Sequence, residues 1–197
     1  MLKNVIFDFG GVVCEFKPDD IVRRFFDEAD CARAKEVIFR DWASLDTGFT
    51  DYAAYREQSV RALPERLEQN VRALFRDVYA TLPAIEDNWA LIARLKARGC
   101  GVFLLSNGPT AFAEAMDGIP VLRMMDGRLV SALERLIKPD AAIYRLALER
   151  FGVRAEETLF VDDLPVNVEG AVRCGLHGHV FDGDSEALAR RVAALSA

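Results

Sequence analysis

The stretch Lys3–Gly11, KNVIFDFGG, sets a short run of β-formers against one acid and a pair of glycines. Lys3–Phe7 reads as a strand buried on both faces, because a brief apolar run closed by turn residues suits that setting. Asp8 ends it, Gly10 and Gly11 break it, and Val12 and Val13 are expected to continue it. The same design recurs downstream. Cys100–Leu105 is an apolar run that empties into Ser106-Asn107-Gly108, and Thr158–Val161 empties into Asp162-Asp163. Helices are expected between and after these runs: Ile85–Arg98 with Gly99 at its C-terminal turn, Thr110–Met116, Lys138–Phe151 stopped by Gly152, Pro165–Cys174 closed by Gly175, and Ser185–Leu195. Further short strands are expected at Val121–Met124, Leu129–Val130 and His179–Phe181. Strands alternating with helices predict an α/β fold, a Rossmann-like, doubly wound parallel sheet with helices on both faces.

Between Pro18 and Leu82 that alternation stops. Charged residues there interleave with Phe, Trp, Tyr and Leu at helical spacing, which predicts helices near Pro18–Glu28, Ala32–Trp42, Thr50–Leu63 and Pro64–Tyr79. Leu45–Asp51, LDTGFTD, reads as a turn with Thr50 as the next N-cap. The expected organisation is therefore a core of residues 1–16 and 83–197 with an α-helical cap, residues 17–82, inserted after the first strand.

Composition narrows the class. At about 100–200 residues per domain, 197 residues make one domain or one domain with an insertion. Half the residues are hydrophobic and 28% are charged, as in an ordinary globular protein. Thirty-one acids against 25 basic residues give a net charge of −6, with no dense Lys/Arg cluster, which argues against a nucleic-acid partner. The longest apolar runs, such as Val102–Leu105, are far shorter than the ~20 residues that cross a bilayer. The N-terminus lacks the apolar region and cleavage site of a signal peptide. Cys14, Cys31, Cys100 and Cys174 are scattered with no CxxC pair and read as reduced thiols. A cytoplasmic protein with no membrane partner is expected.

In an open α/β sheet the binding crevice lies outside the carboxyl ends of the strands. Asp8, Ser106-Asn107-Gly108 and Asp162-Asp163 all end strands, and Lys138 opens the helix leading to the last of these. Carboxylates without a Cys/His ligand set suit Mg²⁺ rather than Zn²⁺. A cation with a Lys and backbone N–H donors suits a phosphate. Singly, each residue has an ordinary structural reading: a helix N-cap for the acids, turn chemistry for Ser106-Asn107-Gly108, a solvated first-turn residue for Lys138. Their coincidence at successive strand ends carries the functional reading.

The segments VIFDFGG, LLSNG, IKPDAAIY and FVDDLPVNVEGA resemble, in order and context, the four motifs of the haloacid dehalogenase-like hydrolase superfamily, most of whose members are phosphatases. The resemblance spans essentially the whole chain, and the helical insertion is similar to that superfamily's C1 cap. It is nearest the subfamily of sugar-phosphate phosphatases and the N-terminal phosphatase domain of epoxide hydrolases. By resemblance, Asp8 is the nucleophile that forms an aspartyl-phosphate. Ser106, the Asn107 backbone N–H and Gly108 bind phosphate, and Lys138 neutralises charge. Asp163, with Asp162 beside it, holds Mg²⁺ together with Asp8 and the Gly10 carbonyl.

Two positions depart from the pattern. Gly10 stands where the phosphatases usually carry a second Asp, the general acid, whose help is worth roughly 10²–10⁴-fold. Asn167 stands where many members carry an acid, and it is expected to hydrogen-bond Lys138. The resulting expectation is a Mg²⁺-dependent phosphatase acting on a small phosphorylated metabolite, monomeric or homodimeric. A 2-haloacid dehalogenase-type hydrolase and a non-catalytic phosphate-binding module are the alternatives. Retention of both Asp162 and Asp163 favours the phosphatase, because two acids beside a third carboxylate are costly without a cation. Glu15, Lys17 and Asp46 are candidates for substrate contact, Lys17 for a second anionic group and Glu15 as a substitute acid. Trp42, Phe49, Tyr52 and Tyr55 face either substrate or the cap's own core. His177 and His179 are assigned no role.

Overall fold

A computed structural model describes residues 1–196. Five strands form one sheet: β1 (Asn4–Phe7), β2 (Gly101–Ser106), β3 (Gly127–Val130), β4 (Thr158–Asp162) and β5 (His177–Val180), in the order β3-β2-β1-β4-β5. Every pairing is parallel, with Phe7 beside Leu104 on one side and Val161 on the other. Successive side chains of a strand face opposite ways, and the core divides accordingly. Val5, Phe7, Val102, Leu104, Leu159 and Val161 pack to one side, with α6 (Glu86–Ala97) and α11 (Ser185–Ser196). Ile6, Phe103, Leu105 and Phe160 pack to the other, with α9 (Ala141–Phe151) and α10 (Pro165–Arg173). The sheet is covered on both faces, so its strands are continuously apolar.

Between β1 and α6 lie five helices and no strand: α1 (Pro18–Phe25), α2 (Glu28–Phe39), α3 (Ala43–Asp46), α4 (Tyr52–Ala62) and α5 (Glu68–Asp77). They gather round Trp42, whose ring meets those of Phe39, Tyr52, Tyr55 and Phe75. The chain enters and leaves this block side by side. Cys14 bridges Ala84, the Glu15 amide donates to the Pro83 carbonyl, and the Ile85 amide donates to the Val13 carbonyl. Past β2 come α7 (Thr110–Ala115) and, after β3, the single turn α8 (Ser131–Glu134). No helix among the described residues is long and apolar enough to cross a membrane.

Several sequence expectations need correction. Val12 and Val13 do not continue β1. Gly11 turns the chain at φ +75°, and the Val12 and Val13 amides both donate back to the Phe9 carbonyl. Val121–Met124 is not a strand but part of a 3₁₀ turn, Pro120–Met124; Pro120 supplies the fixed φ of a first helical turn, and adjacent Val121 and Leu122 are both buried, as no one-sided strand allows. The last strand is His177–Val180 rather than His179–Phe181. Asp51, not Thr50, caps α4, its carboxylate accepting from the Ala54 amide at 2.7 Å. Lys138 does not open a helix: α9 begins at Ala141 with Asp140 as its N-cap, and Lys138 precedes it, buried.

Candidate active site

The ends of β1, β2 and β4 share one edge of the sheet. The Asp8 amide still donates to the Val161 carbonyl, so Asp8 holds its place in the ladder and its carboxylate lies at the mouth. Lys138 Nζ donates to Asp8 Oδ1 at 2.7 Å, to Asp162 Oδ2 at 2.7 Å and to the Leu105 carbonyl at 3.1 Å. An ammonium has three protons, and all three are committed. The Lys138 side chain is 1% exposed, so its ammonium is shielded from solvent while Asp8 faces the crevice. Asn107 holds Lys138 by its backbone: its Oδ1 accepts from the Lys138 amide and its Nδ2 donates to the Lys138 carbonyl. The Asn107 side chain is a positioning group.

Asp162 is wholly buried. Its Oδ1 accepts from the Leu164 amide and its two oxygens from Asn167 Nδ2, in addition to Lys138. Asn167 therefore serves Asp162 and not Lys138, which corrects the expectation. A carboxylate at 167 would face Asp162 as a like charge. Asp163, half-buried, lines the crevice that Asp8 opens into. One carboxylate oxygen from each of Asp8, Asp162 and Asp163 lies within 4.8 Å of the others. Asp163 approaches closely because Gly11 has no side chain: a Cβ there would stand 2.5 Å from Asp163 Oδ2.

The electrostatics follow from burial. Burial pushes the Asp8 carboxyl up to about 7 against the pull of Lys138, and the Asp162 charge adds to the rise. Burial and Asp162 likewise hold Asp163 above the usual carboxylate range. Burial alone would lower Lys138, but its two carboxylates outweigh that and raise it, so it stays cationic. Three carboxylates against one ammonium leave negative charge uncompensated. An all-oxygen set of this kind fits Mg²⁺. Asp162 spends its oxygens on Lys138, Leu164 and Asn167, which leaves Asp8 and Asp163 as the carboxylates that face outward.

The crevice has a volume of about 340 Å³. Ser106 and Asn107 lie on its floor, and the buried Ser106 hydroxyl donates only a long bond to the Asn107 carbonyl, 3.2 Å. Gly108 departs from its expected phosphate role, since its N–H already donates to Ser131 Oγ at 3.0 Å. Its lack of a side chain instead admits the Phe112 ring, whose Cδ1 would be 2.9 Å from a Cβ. The upper wall comes from the helical block: Trp42 and Asp46 of the α3 region, and Tyr79 beyond α5. Ser131 Oγ also donates to the Asp46 carbonyl at 2.6 Å, and Gly48 packs so closely on Ala132 that a Cβ would fall 2.0 Å from its carbonyl oxygen. The Asp46 carboxyl is pushed up to about 7 by burial and by the Asp8 charge, with Lys138 pulling back.

Other candidates lie elsewhere. Glu15 and Lys17 pair with each other at 3.1 Å, and neither lines the crevice. Tyr52 and Tyr55 donate to the Phe75 and Ile38 carbonyls within the helical block. Phe49 is exposed, with the Arg135 guanidinium 5.2 Å above its ring. His177 contacts the Glu156 carbonyl at the far end of β5. Tyr79 was not singled out from the sequence; it sits in an ordinary helical pattern, and nothing local marks it.

Residues 2–175 match the family described as haloacid dehalogenase-like hydrolase. A sesquiterpene phosphatase of Aspergillus oryzae is 29% identical over 91% of this chain and 90% of its own length. The (S)-2-haloacid dehalogenase 4A of Burkholderia cepacia is 31% identical over 89% of this chain and 81% of its own. A solved HAD family enzyme from Bacteroides thetaiotaomicron, in complex with magnesium and inorganic phosphate, shares the fold at a TM-score of 0.71. That likeness covers 93% of this chain and 96% of the other, at 18% identity.

Proposed function

The chain belongs to the haloacid dehalogenase-like hydrolases, and on that premise we propose that it hydrolyses small phosphomonoesters through a phosphoryl group carried on Asp8, with Mg²⁺ as cofactor. The observation that carries this reading is the third carboxylate. Asp8 and Asp162 share the Lys138 ammonium, and Asp163 stands beside them with no cation of its own among the described residues. Asp8, Asp163 and the Gly10 carbonyl would hold the ion, and bound there it would offset negative charge between the phosphate and the carboxylates. Asp162 is assigned to Lys138 rather than to the metal.

The chain's own residues divide the work. Ser106 and the Asn107 N–H receive phosphate oxygens, and Lys138, held by Asn107 and Asp162, favours the ionised form of Asp8 against its burial and aims it. An Asp8 oxygen bonds to phosphorus as the bond to the alcohol oxygen breaks, which splits one difficult displacement into two. Gly10 offers no acid, and Glu15 is off the crevice. The leaving alkoxide takes its proton from Asp46, the carboxyl of the upper wall. Water then attacks phosphorus and returns a proton to Asp46, releasing phosphate and the Asp8 carboxylate. Residues 17–82 act as the cap over this site, and residues 1–16 with 83–197 as its base.

The dehalogenase reading has the Burkholderia relative and Gly10 in its favour. A nucleophile that attacks carbon needs no metal, however, and gives Asp163 no task. A panel of phosphomonoesters and 2-haloacids, with and without Mg²⁺, decides between them. Ester turnover that disappears in chelator supports the proposal. Chloride release from 2-chloropropionate without ester turnover overturns it.

A further inference from the structure

We infer that the alcohol half of the substrate is uncharged and largely apolar, with one neutral oxygen received by the Tyr79 hydroxyl. This rests on the phosphatase reading of the same crevice and narrows it.

The charge argument comes first. Among the described residues lining the crevice, Lys138 is the only cation, and its three protons are spent on Asp8, Asp162 and the Leu105 carbonyl. The nearest basic candidate, Lys17, is engaged with Glu15 and lies outside. A second anion on the substrate, such as a carboxylate, would share the crevice with Asp46 and Asp163 and meet no uncommitted cationic side chain among the described residues there. A charge taken out of water without a partner is strongly disfavoured. The wall that would meet the alcohol is instead built from Phe16, Trp42, Pro109 and Phe112.

Tyr79 supplies the polar exception. It lines the crevice, is 7% exposed, and its hydroxyl has no hydrogen-bond partner among the described residues. Its neighbours behave otherwise, since Tyr52 and Tyr55 each donate to a carbonyl at 2.9 Å. Buried hydroxyls are nearly always paired, and an unpaired one carries a desolvation penalty. A hydroxyl both donates and accepts, so it matches a hydroxyl, ether or carbonyl oxygen of a neutral group. Burial holds its proton firmly on, with the Tyr52 hydroxyl and the Asp46 carboxyl adding to that hold.

The test measures kcat/KM in Mg²⁺ for small phosphate esters: benzyl phosphate, alkyl phosphates with and without a chain hydroxyl, and the carboxylated phosphoglycolate and phospholactate. The uncharged esters should exceed the carboxylated ones by about a hundredfold, the scale of an unpaired buried charge. In Tyr79→Phe, KM for hydroxylated esters should rise about threefold to tenfold, the worth of one neutral hydrogen bond. KM for the plain esters should stay within about twofold. Carboxylated esters matching benzyl phosphate would overturn the inference while leaving the phosphatase reading intact. So would a Tyr79→Phe protein that melts higher with every KM unchanged, the mark of a merely structural hydroxyl. Failure of every ester to turn over in Mg²⁺ would remove the phosphatase reading, and this inference with it.

Discussion

Gly11 and Asp163 compete for one volume: a Cβ on Gly11 would stand 2.5 Å from Asp163 Oδ2 and 2.7 Å from its carboxyl carbon. Gly11 also holds φ +75°, where a side chain costs about 1 kcal/mol or more. Gly11→Ala should therefore lower the melting temperature and displace Asp163. The rise in melting temperature on adding millimolar Mg²⁺, which a ligand bound only to the native state produces, should be lost with it. Gly10→Ala is the control, because its nearest neighbour is the Phe16 Cβ at 3.3 Å and its φ is not positive. Thermal shift with and without Mg²⁺ reads both; an undiminished Mg²⁺ response in Gly11→Ala would dissociate Asp163 from the metal.

Lys138→Met should destabilise the fold far more than any change to Asp8. It strips the only cation from a fully buried Asp162, and breaking such a pair costs about 3–5 kcal/mol. Chemical denaturation measures this directly. A loss under about 1 kcal/mol would show that the buried cluster does not depend on the Lys138 charge.

Asp8→Asn keeps shape, and Lys138 retains Asp162 and the Leu105 carbonyl. The variant should stay folded while ester turnover falls to background. Beryllofluoride, which mimics a phosphoryl group on a carboxylate, should bind wild type and not the variant. Turnover within tenfold of wild type would end the role given to Asp8.

Asp46 sets a pH limb. Its carboxyl, pushed up to about 7 by burial and the Asp8 charge, is a useful acid only while protonated. For alkyl phosphates kcat/KM should be bell-shaped with its maximum near pH 7, rising as Asp8 ionises and falling on the alkaline side as Asp46 loses its proton. Asp46→Asn should lower the rate and flatten that limb. Aryl phosphates, whose leaving groups need little protonation, should show it weakly. An Asp46→Asn protein with the wild-type alkaline limb would assign the proton to another group.

Gly10→Asp asks whether the vacant acid position limits the enzyme. Gly10 lies outside the left-handed region, so an Asp fits once Phe16 yields a few tenths of an ångström. Alkyl phosphates should gain roughly 10–10³-fold relative to aryl phosphates, the lower part of the acid–base range for a transplanted group. An unchanged alkyl-to-aryl ratio in a folded, Mg²⁺-responsive variant would show that protonation is not limiting.

The strands and the polar residues that end them were legible because burial on both faces leaves a plain mark: an apolar run, then Asp8, Ser106 or Asp162. What each polar group does was less legible. Asp162 and Asp163 are identical neighbours, yet period-2 alternation sends one inward to Lys138 and leaves the other at the mouth. Asn167 looked like a weakened partner for Lys138, but helix α10 turns it onto Asp162. Val121–Met124 has strand composition and becomes a 3₁₀ turn because Pro120 precedes it. The crevice wall was hardest, because Tyr79 and Asp46 reach it through packing of helices distant in sequence, which no local pattern records.

The Ser131 hydroxyl joins the helical block to the sheet edge. It accepts from the Gly108 N–H in the turn after β2 and donates to the Asp46 carbonyl on the helical block. Because that hydroxyl is buried, separating the block from the sheet leaves two polar groups bare at once. The turn after β2 and the helical wall above it are thereby fastened to one side-chain atom, so a Ser131→Ala protein loses both attachments with a single oxygen.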